Sequence, residues 1–155
     1  HEPASIPEFM ERIQRDDTDI ISGSRYLEVH PENDMPPKER QSINRQVTEE
    51  LHDALGIEIT DAFCGFKAYR VETLDAFNFD VNGYAFPIQF WVQAAARHLR
   101  ICEIPVRMIY NDPNRTFGGQ LDDPVKRLDH YRAVLCNELR KNESLLPNAR
   151  EQVPC

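Results

Sequence analysis

The sequence predicts a layered α/β arrangement in which helices flank a small sheet. Amphipathic helical stretches alternate with short apolar runs, the pattern of a sheet covered by helices. The runs that read as strands number three or four, fewer than an average sheet holds, so they describe part of a sheet. A chain of 155 residues is long enough to bury one core without disulfides or metal.

The first element is a helix from Ser5 to about Arg15. Ser5-Ile6-Pro7-Glu8 has the form of a capping box, and Ile6, Phe9, Met10 and Ile13 share one face. A short strand, Asp19 to Ser22, follows and ends in Gly23-Ser24-Arg25-Tyr26. Glu28 to Pro37 carries three prolines and reads as a loop. From Lys38 to Leu55 the apolar residues Ile43, Val47, Leu51, Ala54 and Leu55 recur at helical spacing, and Gly56 stands where a C-terminal cap belongs. The opposite face carries Arg40, Asn44, Arg45 and Glu49. Phe66 to Arg70 reads as a strand and Val71 to Phe77 as a short helix.

After Asn82-Gly83 a mostly buried helix is expected from Pro87 to Arg100. Ile101 to Tyr110 alternates as a strand does, with Pro105 marking an edge or an irregularity. Asn111 to Asp123 is a polar loop with paired glycines, and Pro124 opens a helix to about Asn142 with Leu128, Tyr131, Leu135 and Leu139 inward. Residues 1–142 form the domain and 143–155 a tail. The scattered Cys64, Cys102, Cys136 and Cys155 match no zinc spacing and read as thiols in a reducing compartment.

Eighteen basic and 26 acidic residues leave a net charge of −8, which argues against nucleic-acid binding. No apolar run approaches the ~20 residues of a membrane span and no signal peptide opens the chain, so a soluble protein is expected. The chain opens with His1, as a processed product or a piece of something longer would.

Three features could carry chemistry. Arg25 at a strand end, Arg40 on the next helix and Arg115 in a Gly-rich loop are candidate anion ligands, because a guanidinium matches phosphate oxygens in pairs. The structural alternative is that each arginine pairs with one of the many carboxylates. Asp61, in Asp61-Ala62-Phe63-Cys64-Gly65-Phe66-Lys67, is a general base, an orienting carboxylate or an Asx-turn residue. Asn111 to Gly119 is a binding loop or a plain linker.

The order of motifs resembles a family. His1-Glu2-Pro3, Gly23-Ser24-Arg25-Tyr26, Arg40, Asp61 with Gly65 to Arg70, Gly83-Tyr84-Ala85-Phe86, Glu103-Ile104-Pro105-Val106, and Arg115 with Gly118 are similar to the second half of a family 2 glycosyltransferase. The branch is that of dolichyl-phosphate mannose synthase-like (polyprenyl-phosphate) enzymes, with the GT-A fold. The resemblance implies a partial GT-A sheet, the acceptor-side half, with the N-terminal donor-binding half missing. It implies a metal-dependent, inverting transfer from a nucleotide-sugar to an acceptor, in this branch commonly a polyprenyl phosphate. Mg²⁺ or Mn²⁺ would be held by an Asp-x-Asp motif preceding His1, so the isolated chain is expected to be inactive.

By the same resemblance Arg25, Arg40, Asn44 and Arg115 bind the acceptor or its phosphate, Asp61 is the catalytic carboxylate, and Ser24, Gly65, Lys67 and Gly118 support them. Asn44 stands where some relatives have Ser, and Gln89 where many have Glu. The implied setting is cytoplasmic, with peripheral membrane contact, and the unpaired sheet edges favour self-association. The alternative function is a non-catalytic interaction module that keeps the acceptor-side scaffold.

Overall fold

The computed structural model describes residues 2–29, 31–112, 114–147 and 149. His1 and Cys155, with the end of the expected tail, lie outside the described residues. Three strands, β1 (Ile20–Ser24), β2 (Lys67–Tyr69) and β3 (Ile101–Pro105), form one sheet in the order β2-β1-β3. β1 runs antiparallel to β2 and parallel to β3, with Ile20 opposite both Tyr69 and Ile101. The mixed α/β class and the small strand count match the sequence-based expectation.

β1 is buried along its whole length because helices cover both faces, which is why Ile20-Ile21 reads as an apolar run without alternation. It continues two residues past the expected end, since Ile104 and Pro105 pair with Gly23 and Ser24. Gly23 is required by space. A Cβ there would stand 3.0 Å from a Val106 methyl and 3.1 Å from the Phe66 carbonyl, and the Gly23 N–H donates to that carbonyl.

One face of the sheet packs on α1 (Ile6–Ile13), through Phe9 against Ile21, Cys64, Ile104 and Val106. Only Phe9 of the expected α1 stripe is buried; Ile6, Met10 and Ile13 are each about half exposed. The capping box also fails. Ser5 is helical and its side chain caps nothing, because a turn of 3₁₀ helix over Pro3–Ser5 already precedes α1.

The other face packs on α2 (Lys38–Leu55), α4 (Phe86–Ala96) and α5 (Pro124–Lys141). Val47, Leu51, Ile88, Trp91, Leu135 and Leu139 fill this larger core, all at 1% exposure or less, so truncating any of them would cost several kcal/mol (about 2–5). α2 ends as expected, with Gly56 at φ +65° and its N–H bonded to the His52 carbonyl. α5 starts at Asp123, whose carboxylate accepts from the N–H groups of Val125 and Lys126.

The expected helix after β2 is a single turn, α3 (Val71–Leu74). Residues 78–81 then return along α4, held by two buried amides. Gln89 accepts from the N–H groups of Asp80 and Val81, and Gln93 from that of Asn78. Gln89 is thus committed to the fold. α4 stops at Ala96, four residues short of expectation, because His98 takes a positive φ of 53° that turns the chain into β3. β3 likewise stops at Pro105, where β1 runs out, and is an edge strand as Pro105 suggested. Cys64 and Cys102 are free thiols, but Cys136 is disulfide-bonded, which corrects the reading of it as a thiol. Sequence spacing could not show this, since pairing depends on proximity in space.

Candidate functional site

Strands of a parallel pair present their C-terminal ends to one side of the sheet, and here β1 ends there in Ser24-Arg25-Tyr26. Ser24 shapes the exit. Its buried hydroxyl accepts from the N–H groups of Tyr26 and Leu27 and donates to Thr60 Oγ1 at 2.6 Å. Thr60 Oγ1 in turn donates to Glu103, which also accepts from the backbone N–H groups of Thr60 and Asp61. Burial raises the Glu103 pKa, although the Thr60 hydrogen bonds oppose it. A carboxylate on β3 thereby fixes the height of Asp61 beside Arg25.

Asp61 is fully buried and accepts five hydrogen bonds. Arg25 grips it with both ends of its fork, Nε at 2.7 Å and Nη2 at 2.8 Å, and adds its own backbone N–H. Asn44 of α2 donates at 2.8 Å, and the Phe63 N–H completes the set. Burial alone would raise the Asp61 pKa. The Arg25 hydrogen bonds and charge, with Asn44, outweigh it and hold the carboxyl below the ordinary range. Arg25 is correspondingly raised, its own desolvation overcome by Asp61. Asn44 is held in turn by Thr48, which donates to its side-chain oxygen.

In front of this pair lies a cleft of about 320 Å³. Arg25, Arg40, Asn44 and Arg115 all line it, so the structure brings together the four anion-site residues expected from the sequence. Asp61 does not line the cleft; it stands behind Arg25 with its lone pairs taken. An ionised carboxylate with five donors is a weak proton acceptor, and three of its hydrogen bonds orient Arg25. Of the supporting residues, Ser24 builds the strand exit. Lys67 lies under Trp91, its Nζ 4.8 Å from the ring centroid and bonded to the Cys64 carbonyl, and burial lowers its pKa. Gly65 is exposed in the turn before β2, and Gly118 gives its N–H to Asp122. Neither Lys67, Gly65 nor Gly118 lines the cleft.

The cleft arginines differ in their partners. Arg25 is paired with Asp61, and Arg127 of α5 with Glu39. Among the described residues no carboxylate pairs with Arg40 or Arg115. Arg40 donates instead to the Tyr110 hydroxyl and to the Arg115 carbonyl, both neutral acceptors. Much of the rest of the wall is aromatic, including Tyr26, Phe63, Tyr84, Phe86 and Tyr131. Burial pushes the Tyr131 hydroxyl up to about 12, so it stays a phenol at neutral pH. Two surplus guanidinium groups on an aromatic wall can hold an anion whose remainder is apolar.

Sequence reading missed Arg127, Phe117, Tyr110 and Tyr131 as cleft residues. Arg127 is only 2% exposed, yet it lies in the first turn of a helix where a cation reads as solvated. Its one signal is the four-residue step to Tyr131, which puts both on one face of α5. Among the described residues no cluster of three or more His, Cys, Asp or Glu side chains could hold a metal ion, and no helix is long and apolar enough to cross a membrane.

No protein-family model matches the chain, and no solved structure matches it. Among curated proteins, an undecaprenyl-phosphate mannosyltransferase of Micrococcus luteus is 29% identical over 138 residues, covering 84% of this chain and 55% of the relative. The chain therefore spans about half the length of the curated relative it matches. It is similar to a polyprenyl-phosphate glycosyltransferase, as the motif order suggested.

Proposed function

We propose that this chain is the acceptor-side half of a GT-A glycosyltransferase that passes a sugar from a nucleotide-sugar to a polyprenyl phosphate, by inversion, at the cytoplasmic face of a membrane. The observation that carries the reading is the pair of arginines without carboxylates, Arg40 and Arg115, on an aromatic-walled cleft of a net-acidic chain. The similarity to an undecaprenyl-phosphate mannosyltransferase supports the choice of a lipid phosphate over other anions.

A phosphate monoester is already ionised at neutral pH, so the acceptor needs no strong base. What it needs is charge compensation and alignment with the sugar carbon. Arg40 and Arg115 supply the charge, and Arg25, held rigid by Asp61 and Asn44, supplies a fixed edge of the cleft. Among the described residues no cluster of three or more His, Cys, Asp or Glu offers a site for Mg²⁺ or Mn²⁺. On this reading the donor diphosphate and its cation are held by residues outside these 155.

The test is binding of farnesyl phosphate, a short soluble prenyl phosphate, set against farnesol. Binding that requires the phosphate and weakens more than about tenfold in Arg40→Ala or Arg115→Ala is expected, the loss of a charge-assisted contact. Equal binding of phosphate and alcohol would overturn the acceptor assignment. In transfer assays with nucleotide-sugar, Mg²⁺ or Mn²⁺ and a polyprenyl phosphate, the 155 residues alone should turn over little. Robust turnover would overturn the half-domain reading.

A further inference from the structure

The cleft holds about 320 Å³, near the lower end for a ligand site (roughly 300–1,000 Å³), so the long chain of a polyprenyl phosphate must leave it. Its aromatic wall shows where. Phe86 lines the cleft and is still 36% exposed, and its ring meets that of Phe79 at 5.0 Å between centroids. Phe79 does not line the cleft. It is 41% exposed and continues the apolar surface outward, with Phe77 stacked against it at 5.0 Å. Phe77, Phe79 and Phe86 all pack on the buried ring of Phe90.

The exposure of Phe79 is imposed by its neighbours. On one side the N–H and carbonyl of Asn78 are both bonded to the Gln93 amide, and on the other Gln89 accepts from the N–H groups of Asp80 and Val81. Gln89 and Gln93 are themselves buried on α4. Turning the ring inward would break buried hydrogen bonds, so the fold presents it to solvent.

The charges beside these rings decide what covers them. Residues 71–80 carry Glu72, Asp75 and Asp80, all exposed, and no Lys or Arg. Lys141 answers Asp80, and Arg97 lies over Phe77 at 5.1 Å. A surface that docks on an anionic bilayer carries an excess of cations, which this one lacks. A second copy would bring a net charge of −8 to an acidic border. A neutral hydrocarbon chain meets neither obstacle.

We propose that Phe86 and Phe79 form an apolar track that takes the isoprene units of the acceptor as they leave the cleft, with Phe79 determining specificity for chain length. This path rests on the reading of the cleft as a prenyl phosphate site. Arg40 and Arg115 hold the phosphate, the units nearest it lie against Phe86, and later units cover the exposed face of Phe79. Each methylene fully buried on such a surface raises affinity roughly fourfold.

The experiment measures the affinity for dimethylallyl, geranyl and farnesyl phosphate in the chain and in Phe79→Ser, Phe79→Leu and Arg40→Ala. In the parent, affinity should rise at least about tenfold from dimethylallyl to farnesyl phosphate. Phe79→Ser should cut this gain by about fivefold or more while binding dimethylallyl phosphate as the parent does, which also shows that the variant is folded. Phe79→Leu keeps apolar area and should retain most of the gain. Arg40→Ala should weaken all three phosphates by a similar factor. An unchanged gain in Phe79→Ser would overturn the track and leave the anion site intact. Equal binding of all three phosphates to the parent and to Arg40→Ala would overturn the anion site, and the track with it. A measurement on the parent chain needs no variant. Nuclear Overhauser contacts from the Phe79 ring to the chain of bound farnesyl phosphate are expected, and their absence would overturn the track. Binding to phosphatidylcholine vesicles, or self-association in sedimentation, that is lost in Phe79→Ser while the gain stays unchanged would assign the rings to a bilayer or a second copy instead.

Discussion

The two ends of β1 show opposite uses of arginine. At its N-terminal end Arg70 and Arg100 converge on Asp16 and Asp19. Arg100 holds Asp19 through a fork of 3.0 and 2.8 Å, and Arg70 adds Asp16 and a second contact to Asp19 at 3.3 Å. Two cations meet two anions, and the charges are spent on one another. At the C-terminal end four arginines line one cleft and, among the described residues, two carboxylates answer them, Asp61 and Glu39. The difference teaches that an arginine at a strand end carries no functional meaning by itself; whether its charge is spent does.

The largest expected effect is at the buried pair. Asp61→Ala removes a fully buried carboxylate and leaves the Arg25 fork, the Asn44 amide and the backbone N–H groups of Arg25 and Phe63 unanswered, so urea unfolding should show a loss of about 3–5 kcal/mol. A loss below about 1 kcal/mol would mean that Asp61 is not the fixed point of the cleft. Arg40→Met sharpens the contrast. It should leave the unfolding midpoint nearly unchanged, since no carboxylate depends on it, yet weaken farnesyl phosphate binding more than about tenfold.

At the spent end the effect is smaller and depends on pH. The Arg100 hydrogen bonds hold Asp19 down to about 2, against an ordinary value of 3.8. A carboxyl with a depressed folded pKa stabilises fully above its unfolded value, and that share is lost as pH falls from about 4 through 2. Asp19→Asn should therefore cost about 1 kcal/mol at pH 7, discounted for the half-exposed Arg100, with the effect shrinking as pH falls through about 2. An effect independent of pH would show that packing, not charge, matters at Asp19. The smallest effect belongs to the exposed Arg45–Glu49 pair on α2, at 3.7 Å, where Arg45→Ala should change stability by about 0.5 kcal/mol or less.

Much of the architecture was legible because local rules settle it. The period of Ile43, Val47 and Leu51 fixed α2, and Gly56 fixed its end. The pattern failed where neighbours decide. α1 has a good apolar stripe, but a helix lying on the sheet through Phe9 alone leaves Ile6, Met10 and Ile13 outside. α4 and β3 end early because His98 turns the chain and because β1 has no further residues to pair.

For the site, the residues themselves singled out Arg25 at a strand end, Arg40 on the next helix, Arg115 in a Gly-rich loop and Asp61 before a Gly-containing turn, and the resemblance added Asn44. Only the tertiary structure decided what each does there. Charge pairing depends on distances of a few ångströms between residues far apart in the chain, such as Arg25 and Asp61 or Arg127 and Glu39. The same holds for the Phe117 ring, which lies against Arg40 of α2 and Arg127 of α5. Spacing along the chain carries no record of such distances, and so it shows neither that Asp61 stands behind Arg25 instead of lining the cleft nor that Arg127 forms part of its wall.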